Sequence, residues 1–466
     1  MNCKKIIFFI AICNTTWCHL KAQQISDSIN IQAKVWSKDE NKQVHYTDWQ
    51  NYSSVTIDLL KGFDKSKQIE KDKYSGFGKS YNKTGYFHTQ KIDDRWNVIN
   101  PLGHITYITA VNAIRTSKSS ELPQKFKDID DWGKQTFDQI NAFGFNTAGC
   151  WSDVDAVIKY NATATKPMIY TIQLSLLSGY VSEAKKKDAS RKGTSSLGFI
   201  LDDEFPSFCE NRASKLLATN TDPNLLGIFS DNEISFTHSE IKDIIKEKNT
   251  NDKAYQKLLE WLPNGTAPEN MTDQQKQQFI ALFASRYYET VSKVIKKYDS
   301  NHLYIGSRIH SNAKNNPYLF KAADPFVDII SINYYGDWKP KQSYIEDWAS
   351  WSDKPFFITE FYTKAEETGM SNLSGAGWIV KTQQDRGVHY QNFCLQLLKA
   401  KNCVGWHWFR YQDNDPNDAK ADDSNKDSNK GIINLNYEFY KTLTDKMKEL
   451  NDRVYQLIGY FDGANK

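Results

Sequence analysis

The chain has 466 residues, a formal net charge of +3, and 25% charged residues spread along its length. This length fits one large α/β barrel or two domains, and the near-neutral charge argues against a nucleic-acid-binding protein, which usually carries a basic stripe. Aromatic residues make up 14% of the chain. Two interpretations of them stay open, a core rich in rings or a cleft that stacks sugar faces on aromatic side chains.

The first 22 residues have the pattern of a signal peptide. Lys4 and Lys5 precede the apolar run 6–13, which is too short to span a bilayer, and the small residue Ala22 stands where cleavage is expected. We therefore expect an exported protein, periplasmic or extracellular. No later apolar run is long enough to predict a transmembrane segment.

Four cysteines follow the signal peptide, without C-x-x-C spacing: Cys150, Cys209, Cys394 and Cys403. They predict neither a disulfide framework nor a zinc site, and the sequence leaves open whether Cys394 pairs with Cys403. No cluster of His and Glu indicates a catalytic metal, and no cofactor is expected. The oligomeric state cannot be predicted.

Residues 23–90 are polar, with β-forming fragments and glycine turns, and predict a small β-rich lead-in. A loose linker is the alternative, because residues 61–73 are strongly charged. A hairpin is expected at 95–103, with Pro101 and Gly103 at its turn. Residues 91–466 are predicted to form the catalytic domain.

Eight short apolar segments separated by amphipathic ones occupy this region. Eight such strands are typical of a (β/α)8 TIM barrel, in the α/β class. A doubly wound open sheet is the main competitor, but no G-x-G-x-x-G follows the first strand. The expected strands are 104–113, 145–151, 167–174, 225–233, 302–308, 327–335, 356–360 and 403–411. The expected helices are 131–143, 243–248, 255–262, 274–298 and 389–399.

A glutamate ends each of two buried strands. Pro355 marks the start of strand seven, whose apolar run leads to Glu360, and strand four leads through Asn232 to Glu233. Hydrolysis of a glycosidic bond needs one carboxyl group to protonate the leaving oxygen and a second to act at the anomeric carbon. Strands four and seven lie on opposite sides of a barrel mouth, so the sequence predicts a catalytic pair. A satisfied core carboxylate is the alternative for Glu360.

Side chains at the other strand ends are candidates for substrate binding. Asn232 offers an amide to a sugar hydroxyl. A tyrosine at the exit of strand six, in the segment 333–336, is expected to donate to Glu360 and keep it ionised, and Tyr334 is counted among the residues that bind substrate. Trp406 or Trp408 is expected to form the floor beneath the sugar ring, with the other one packing, since both lie on one face of strand eight.

Four further residues complete the predicted binding site. Trp151, at the end of strand two, falls at the barrel mouth. Arg308 and His310, at the end of strand five, either bind substrate or pair with acids. The acidic loop 413–427, which begins at Asp413, is expected to be mobile and to shape the substrate subsites with its Asp and Asn side chains. A calcium site is the alternative there, although the loop lacks EF-hand spacing.

Three segments resemble strands four, six and seven of clan A glycoside hydrolases: LLGIFSDNE, VDIISINYYGDW and KPFFITEF. Members of that clan are retaining (β/α)8 enzymes, and the resemblance implies that Glu233 is the acid/base and Glu360 the nucleophile.

A closer likeness is to β-agarases, through RWNVINPLGHITYITAVN, KTQQDRGVHYQNF, CVGWHWFRYQDND and NKGIINL. It covers roughly residues 93–440, with Asn100 where the agarase pattern has Asp. The long N-terminal carbohydrate-binding module of many agarases is not seen, which argues against endo action.

The predicted function is a secreted, retaining glycoside hydrolase that cleaves β-linked, agarose-like galactan. Its expected partner is a carbohydrate substrate. The alternatives are a non-catalytic glycan-binding barrel, or a β-mannan or β-galactoside hydrolase of the same clan.

Overall fold

The computed structural model describes residues 27–39, 44–116, 122, 124–217, 221–263, 265–419 and 421–463. The predicted signal peptide lies outside the described residues. Within them, no helix is both long and apolar enough to cross a bilayer.

Seventeen strands lie in the described part of the chain. They are β1 Ile29–Lys34, β2 Trp36–Lys38, β3 Val44–Tyr46, β4 Gln50–Ser54, β5 His88–Ile92, β6 Arg95–Ile99, β7 Ile105–Thr106, β8 Ile108–Val111, β9 Thr147–Ala148, β10 Ile169–Gln173, β11 Leu225–Phe229, β12 Leu303–Tyr304, β13 Ile330–Asn333, β14 Phe356–Glu360, β15 Thr363–Ala365, β16 Trp378–Val380 and β17 Cys403–Trp408.

Thirteen α-helices accompany them in the same ranges. They are α1 Ile129–Ala142, α2 Val154–Asn161, α3 Leu176–Lys187, α4 Ser196–Phe199, α5 Glu204–Leu217, α6 His238–Glu247, α7 Lys253–Trp261, α8 Asp273–Tyr298, α9 Pro317–Ala323, α10 Gln342–Trp351, α11 Gln383–Lys399, α12 Lys441–Asn451 and α13 Val454–Asp462.

Eight parallel strands form the central sheet, in the order β12-β11-β10-β9-β8-β17-β14-β13. The two ends of this order meet through a parallel bridge between Ile309, just after β12, and Ile332 of β13. The Ile309 amide donates to Ser331 O at 2.8 Å, and the Asn333 amide donates to Ile309 O at 2.8 Å. The sheet is therefore closed, and the prediction of a (β/α)8 barrel is confirmed.

The helical caps explain where several elements begin. Asp128 accepts from the amides of Asp130 and Asp131 at the start of α1, and Thr382 forms a capping box with Asp385 at the start of α11. α11 therefore begins six residues before the expected helix 389–399. The sequence did not indicate this start because the first turn is polar and shows no helical period of apolar residues.

The N-terminal segment packs against both ends of the barrel. β1 pairs antiparallel with β4 and with β16, which lies in the long connection after barrel strand β14. β5, β6 and β7 form the hairpin sheet at the opposite end, where the Trp96 amide donates to Lys401 O at 2.7 Å. A β-rich lead-in is thus present, and its first strand helps to build the barrel mouth.

Candidate active site

Glu360 ends barrel strand β14 and is 5% exposed. Arg308 donates to its Oε1, and the phenol of Tyr335 donates to its Oε2 at 2.5 Å. Burial raises the pKa of Glu360 to about 7, while the Arg308 cation opposes the rise and the nearby Glu233 adds to it. Each carboxylate oxygen therefore has its own donor, which is the arrangement that holds a nucleophile in one orientation.

Glu233 follows β11, on the other side of the mouth. Its Oε1 accepts a 2.7 Å hydrogen bond from the amide of Asn333 at the end of β13. The same amide nitrogen is 3.3 Å from Oδ1 of Asn232. Burial raises the pKa of Glu233, opposed by the Asn333 hydrogen bond and by Arg308. The two carboxyl groups are close enough for each to feel the Arg308 charge.

Five barrel strands are followed, within two to four residues, by a non-glycine residue in the left-handed backbone region. This conformation is costly for a residue with a Cβ and tends to cluster at functional sites. The residues are Ala113, Trp151, Ser175, Glu233 and Arg308, with φ between +54° and +60°. The strain lies at the same rim as the two glutamates, which supports placing the site there.

Trp151 and Arg308 pack together at this rim. The guanidinium carbon of Arg308 is 4.4 Å from the Trp151 ring centroid, and Trp151 meets Phe409 edge-on at 5.9 Å. His310 is partly exposed, and its buried Nδ1 has no hydrogen-bond partner in the described residues. Burial lowers the pKa of His310 to about 4, so its imidazole is neutral at pH 7. Arg308 thus pairs with an acid, one of the two roles expected of it.

The tyrosine predicted to donate to Glu360 is present in the segment 333–336, and it is Tyr335. Tyr334, which was predicted to bind substrate, does not face the site. Tyr334 is 1% exposed, and its hydroxyl donates to Asp337 at 2.8 Å. Its ring packs edge-on against Trp348 and Phe393. Neighbouring residues of an extended segment point to opposite sides, so it is Tyr335 that faces Glu360.

The prediction of a tryptophan floor on strand eight is also wrong. Trp406 and Trp408 are both fully buried and point outward, against the helices, where Trp406 donates to the Tyr390 hydroxyl and Trp408 to Lys430 O. The intervening His407 points into the barrel and meets Phe357 and Phe229. Both tryptophans therefore pack in the core, and neither lines the mouth.

Asp413 is likewise a structural residue, and the prediction that it binds sugar is wrong. It is 5% exposed and accepts from Asn429 Nδ2 at 2.9 Å, from the Gly431 amide at 2.8 Å and from the Tyr440 hydroxyl. Its hydrogen bonds hold the base of the acidic loop closed.

The acidic loop has anchors that its sequence does not show. Asn414 N donates to Ser428 O at 3.0 Å, and the Asn372 amide donates to Asp427 O at 3.0 Å. Ser374, in the connection after β15, accepts from the Lys426 amide at 3.0 Å. In the described ranges, no group of three His, Cys, Asp or Glu side chains could hold a metal ion. The four described cysteines are buried and free.

Sequence reasoning missed three polar residues at the mouth: Asn333, Arg410 and Lys430. Asn333 was visible as a polar residue ending the apolar run of strand six, at the level of the glutamates. Arg410 and Lys430 follow strand eight and looked like ordinary loop cations. A cavity of about 320 Å³ lies away from the strand ends and is lined by residues that include Thr194, Glu240 and Asp252. The strained backbone and the two carboxyl groups occur instead at the strand ends, which are therefore the candidate active site.

A closed parallel barrel with two glutamates at its carboxyl-terminal rim, Glu360 buried and Glu233 partly buried, is the arrangement of a (β/α)8 glycoside hydrolase. No family model matches the chain. A crystal structure described as BpGH50 is 30% identical, with a TM-score of 0.81, over 93% of this chain and 96% of that one. The chain belongs to the GH50 family of glycoside hydrolases.

Two curated relatives come from Vibrio sp. (strain JT0107). The chain is 24% identical to its "Beta-agarase B" over 80% of this chain and 27% identical to its "Beta-agarase A" over 70%. The aligned region covers 49% of the first relative and 36% of the second. The chain thus spans about half or less of the curated relatives it matches.

Proposed function

We propose that the protein is a retaining glycoside hydrolase of clan A type, with Glu360 as the nucleophile and Glu233 as the acid/base. The observation that carries the proposal is the difference between their partners. Glu360 is held by a cation and a phenol, whereas Glu233 is held by a neutral amide. Burial raises the pKa of both carboxyl groups. When the pair holds one proton, the direct hydrogen bonds from Arg308 and Tyr335 to Glu360 favour placing that proton on Glu233.

In the first step, the Glu360 carboxylate attacks the anomeric carbon while Glu233 gives its proton to the leaving glycosidic oxygen. The covalent glycosyl ester forms as the C–O bond breaks. In the second step, Glu233 removes a proton from water, which attacks the same carbon and releases Glu360. Asn333 keeps Glu233 oriented in both steps.

The proposed substrate is a β-linked, galactose-containing polysaccharide or oligosaccharide of the agarose type. Support comes from the similarity to the two Vibrio β-agarases and from the agarase-like segments between residues 93 and 440. Trp151 supplies an aromatic face at the mouth, with Asn232 and His310 as polar contacts. We place the activity in residues 91–466 and, because of the 1–22 pattern, outside the cytoplasm.

Incubation of the purified protein with agarose, other β-galactan and β-mannan oligosaccharides tests the proposal. We expect products from the agarose-type series, with the β-anomer appearing first in an NMR time course. An α-anomer appearing first would refute the retaining mechanism. Tight binding without products on any of the substrates would favour the glycan-binding barrel, and cleavage of mannan alone would favour the other hydrolase.

A further inference from the structure

Two cations lie side by side at the mouth, beyond the residues used in the mechanism. The Arg410 amide donates to Lys430 O at 3.1 Å, so the two backbones are in contact. The guanidinium of Arg410 lies 5.6 Å from the Phe409 ring centroid, and the Lys430 ammonium lies 5.9 Å from the same centroid. Phe409 thus joins the two positive groups at one place on the rim.

Neither cation has an acidic partner. Among the described residues, no carboxylate oxygen lies within the 4.0 Å of an ion pair for Arg410 or Lys430. Lys430 is 1% exposed and donates only to neutral oxygens, the carbonyl of Ser424 and Oδ1 of Asn425. Arg410 is partly exposed, but its Nε is buried and lacks a partner in the described residues.

A series of aromatic contacts connects the two cations to the proposed catalytic carboxylates. The Lys430 ammonium is 5.0 Å from the Tyr362 ring centroid. Tyr362 meets Tyr335 edge-on at 5.3 Å, and Tyr335 donates to Glu360. Phe409 also packs against Trp151, which carries the Arg308 guanidinium on its face. A sugar bound over Glu360 would therefore have these cations beside it.

Unpaired buried charge is costly for a fold. Burial lowers the pKa of Lys430 to about 7 and that of Arg410 to about 10, which measures the unfavourable environment of both positive charges. The charge of Asp422 in the loop acts on both cations without forming an ion pair with either. Asp422 is exposed and caps its own turn through the Ser424 amide at 2.9 Å. An anionic group from outside the chain would remove the cost, and Arg presents a planar fork suited to sulfate or carboxylate oxygens.

We propose that Arg410 and Lys430 form a subsite for an anionic substituent, a sulfate ester or a carboxylate, on the sugar bound next to the catalytic pair. This inference rests on the proposed hydrolase function and makes its substrate an acidic galactan. Arg410 contacts the anion, and Lys430 supplies a second charge behind it.

The test compares matched oligosaccharides that differ only in the substituent: neutral, sulfated and carboxylated. We expect the wild-type kcat/KM to be at least about tenfold higher for an anionic member than for the neutral one, as expected for charge-assisted hydrogen bonds. The sulfated and carboxylated arms identify which anion is used. Arg410→Gln and Lys430→Gln should each reduce the ratio of anionic to neutral kcat/KM towards one. The control Lys166→Gln, at the opposite end of the barrel, should leave that ratio unchanged.

A second measurement does not depend on the variants folding. Thermal melts of the wild-type protein with the sulfated, carboxylated and neutral disaccharides at equal concentration should show a larger rise in Tm with an anionic one than with the neutral one. Equal kcat/KM for all three substrates, or a ratio unaffected in a folded Arg410→Gln protein, would overturn the anion subsite while leaving the hydrolase proposal intact. No cleavage of any member would instead refute the proposed function.

Discussion

Asn333, at the end of the sixth barrel strand, donates a 2.7 Å hydrogen bond to Glu233, at the end of the fourth. The side-chain oxygen Oδ1 of Asn333 accepts a 2.7 Å hydrogen bond from the hydroxyl of Thr359, the residue before Glu360. This amide therefore ties the proposed acid/base to the strand of the proposed nucleophile. An ionised Glu233 can only accept, so the Asn333 amide nitrogen faces Glu233 and its oxygen faces the Thr359 hydroxyl.

Asn333→Ala should lower kcat by about 10- to 100-fold, since an acid/base without its positioning hydrogen bond loses much of its contribution. The Asn333 hydrogen bond favours ionised Glu233, so its loss raises the pKa of Glu233. The alkaline limb of the kcat/KM profile should move to higher pH. A profile that falls in height without moving would show a purely structural role. Asn97→Ala, at the other end of the barrel, is the control.

Glu360→Gln should abolish turnover, by roughly three orders of magnitude or more, because an amide cannot form the glycosyl ester. Product release is measured on the best substrate of the panel, with circular dichroism as the test of folding. Glu366→Gln is the matched control, an exposed glutamate six residues further on. Retention of more than about a tenth of the wild-type rate would exclude Glu360 as the nucleophile.

Tyr335→Phe and Tyr334→Phe form a pair that separates function from packing. The Tyr335 hydroxyl donates to the Glu360 carboxylate and favours its ionised form, so Tyr335→Phe raises the pKa of Glu360. We expect the acid limb of kcat/KM to move to higher pH and kcat to fall about tenfold or more. Tyr334→Phe loses its bonds to Asp337 and the Lys341 amide. Tyr334→Phe should lower Tm and leave the acid limb of the kcat/KM profile in place. A shift of the acid limb with an unchanged Tm would show that Tyr334 acts in the site.

Buried His389 should make the protein acid-sensitive. It is 1% exposed, surrounded by rings such as Trp338 and Phe393, and burial lowers its pKa to about 3. Between that value and the unfolded value near 6.5, only the unfolded chain takes up the proton, so stability falls as the pH falls. One such histidine lowers the free energy of unfolding by about 2 kcal/mol from pH 7 to pH 5.

The measurement is the difference in Tm between pH 7 and pH 5. We expect it to be smaller in His389→Leu than in the wild type, because the leucine cannot be protonated in either state. His45→Leu, which removes an exposed imidazole, is the control. An undiminished difference in the His389 variant would show that other groups cause the acid sensitivity.

The barrel could be predicted because its strands are apolar runs bounded by polar and glycine residues. β14 and β17 fall at their expected positions. Glu360 ends β14 as expected, whereas β11 ends at Phe229, four residues before Glu233. β15 and β16 were missed because each has only three residues. Their partner β1 is distant in sequence, and no local pattern encodes such a pairing.

The parts of the site that failed depend on which face a side chain takes. All six residues of β17 are buried, so hydrophobicity does not distinguish the face towards the barrel from the face towards the helices. For the same reason, the sequence did not show which of the adjacent residues Tyr334 and Tyr335 faces the site. Asp413 was predicted to bind sugar because its three hydrogen-bond donors, Asn429, Gly431 and Tyr440, lie 16 to 27 residues further along the chain. No local sequence pattern indicates these contacts.

The pairing of Ala33 in β1 with Val380 in β16 has a consequence for the order of folding. The connection that carries β15 and β16 also carries Gly377, whose Cα lies against the Tyr362 ring, and Lys364 of β15 donates to the Tyr46 hydroxyl at 2.6 Å. These contacts join segments from opposite ends of the chain, and contacts so distant in sequence have the highest loop-closure cost. Most barrel strands pair with strands close to them in sequence, and only the closure of β8 on β17 spans a comparable separation. We therefore expect the substrate mouth to be among the last parts of the molecule to be assembled.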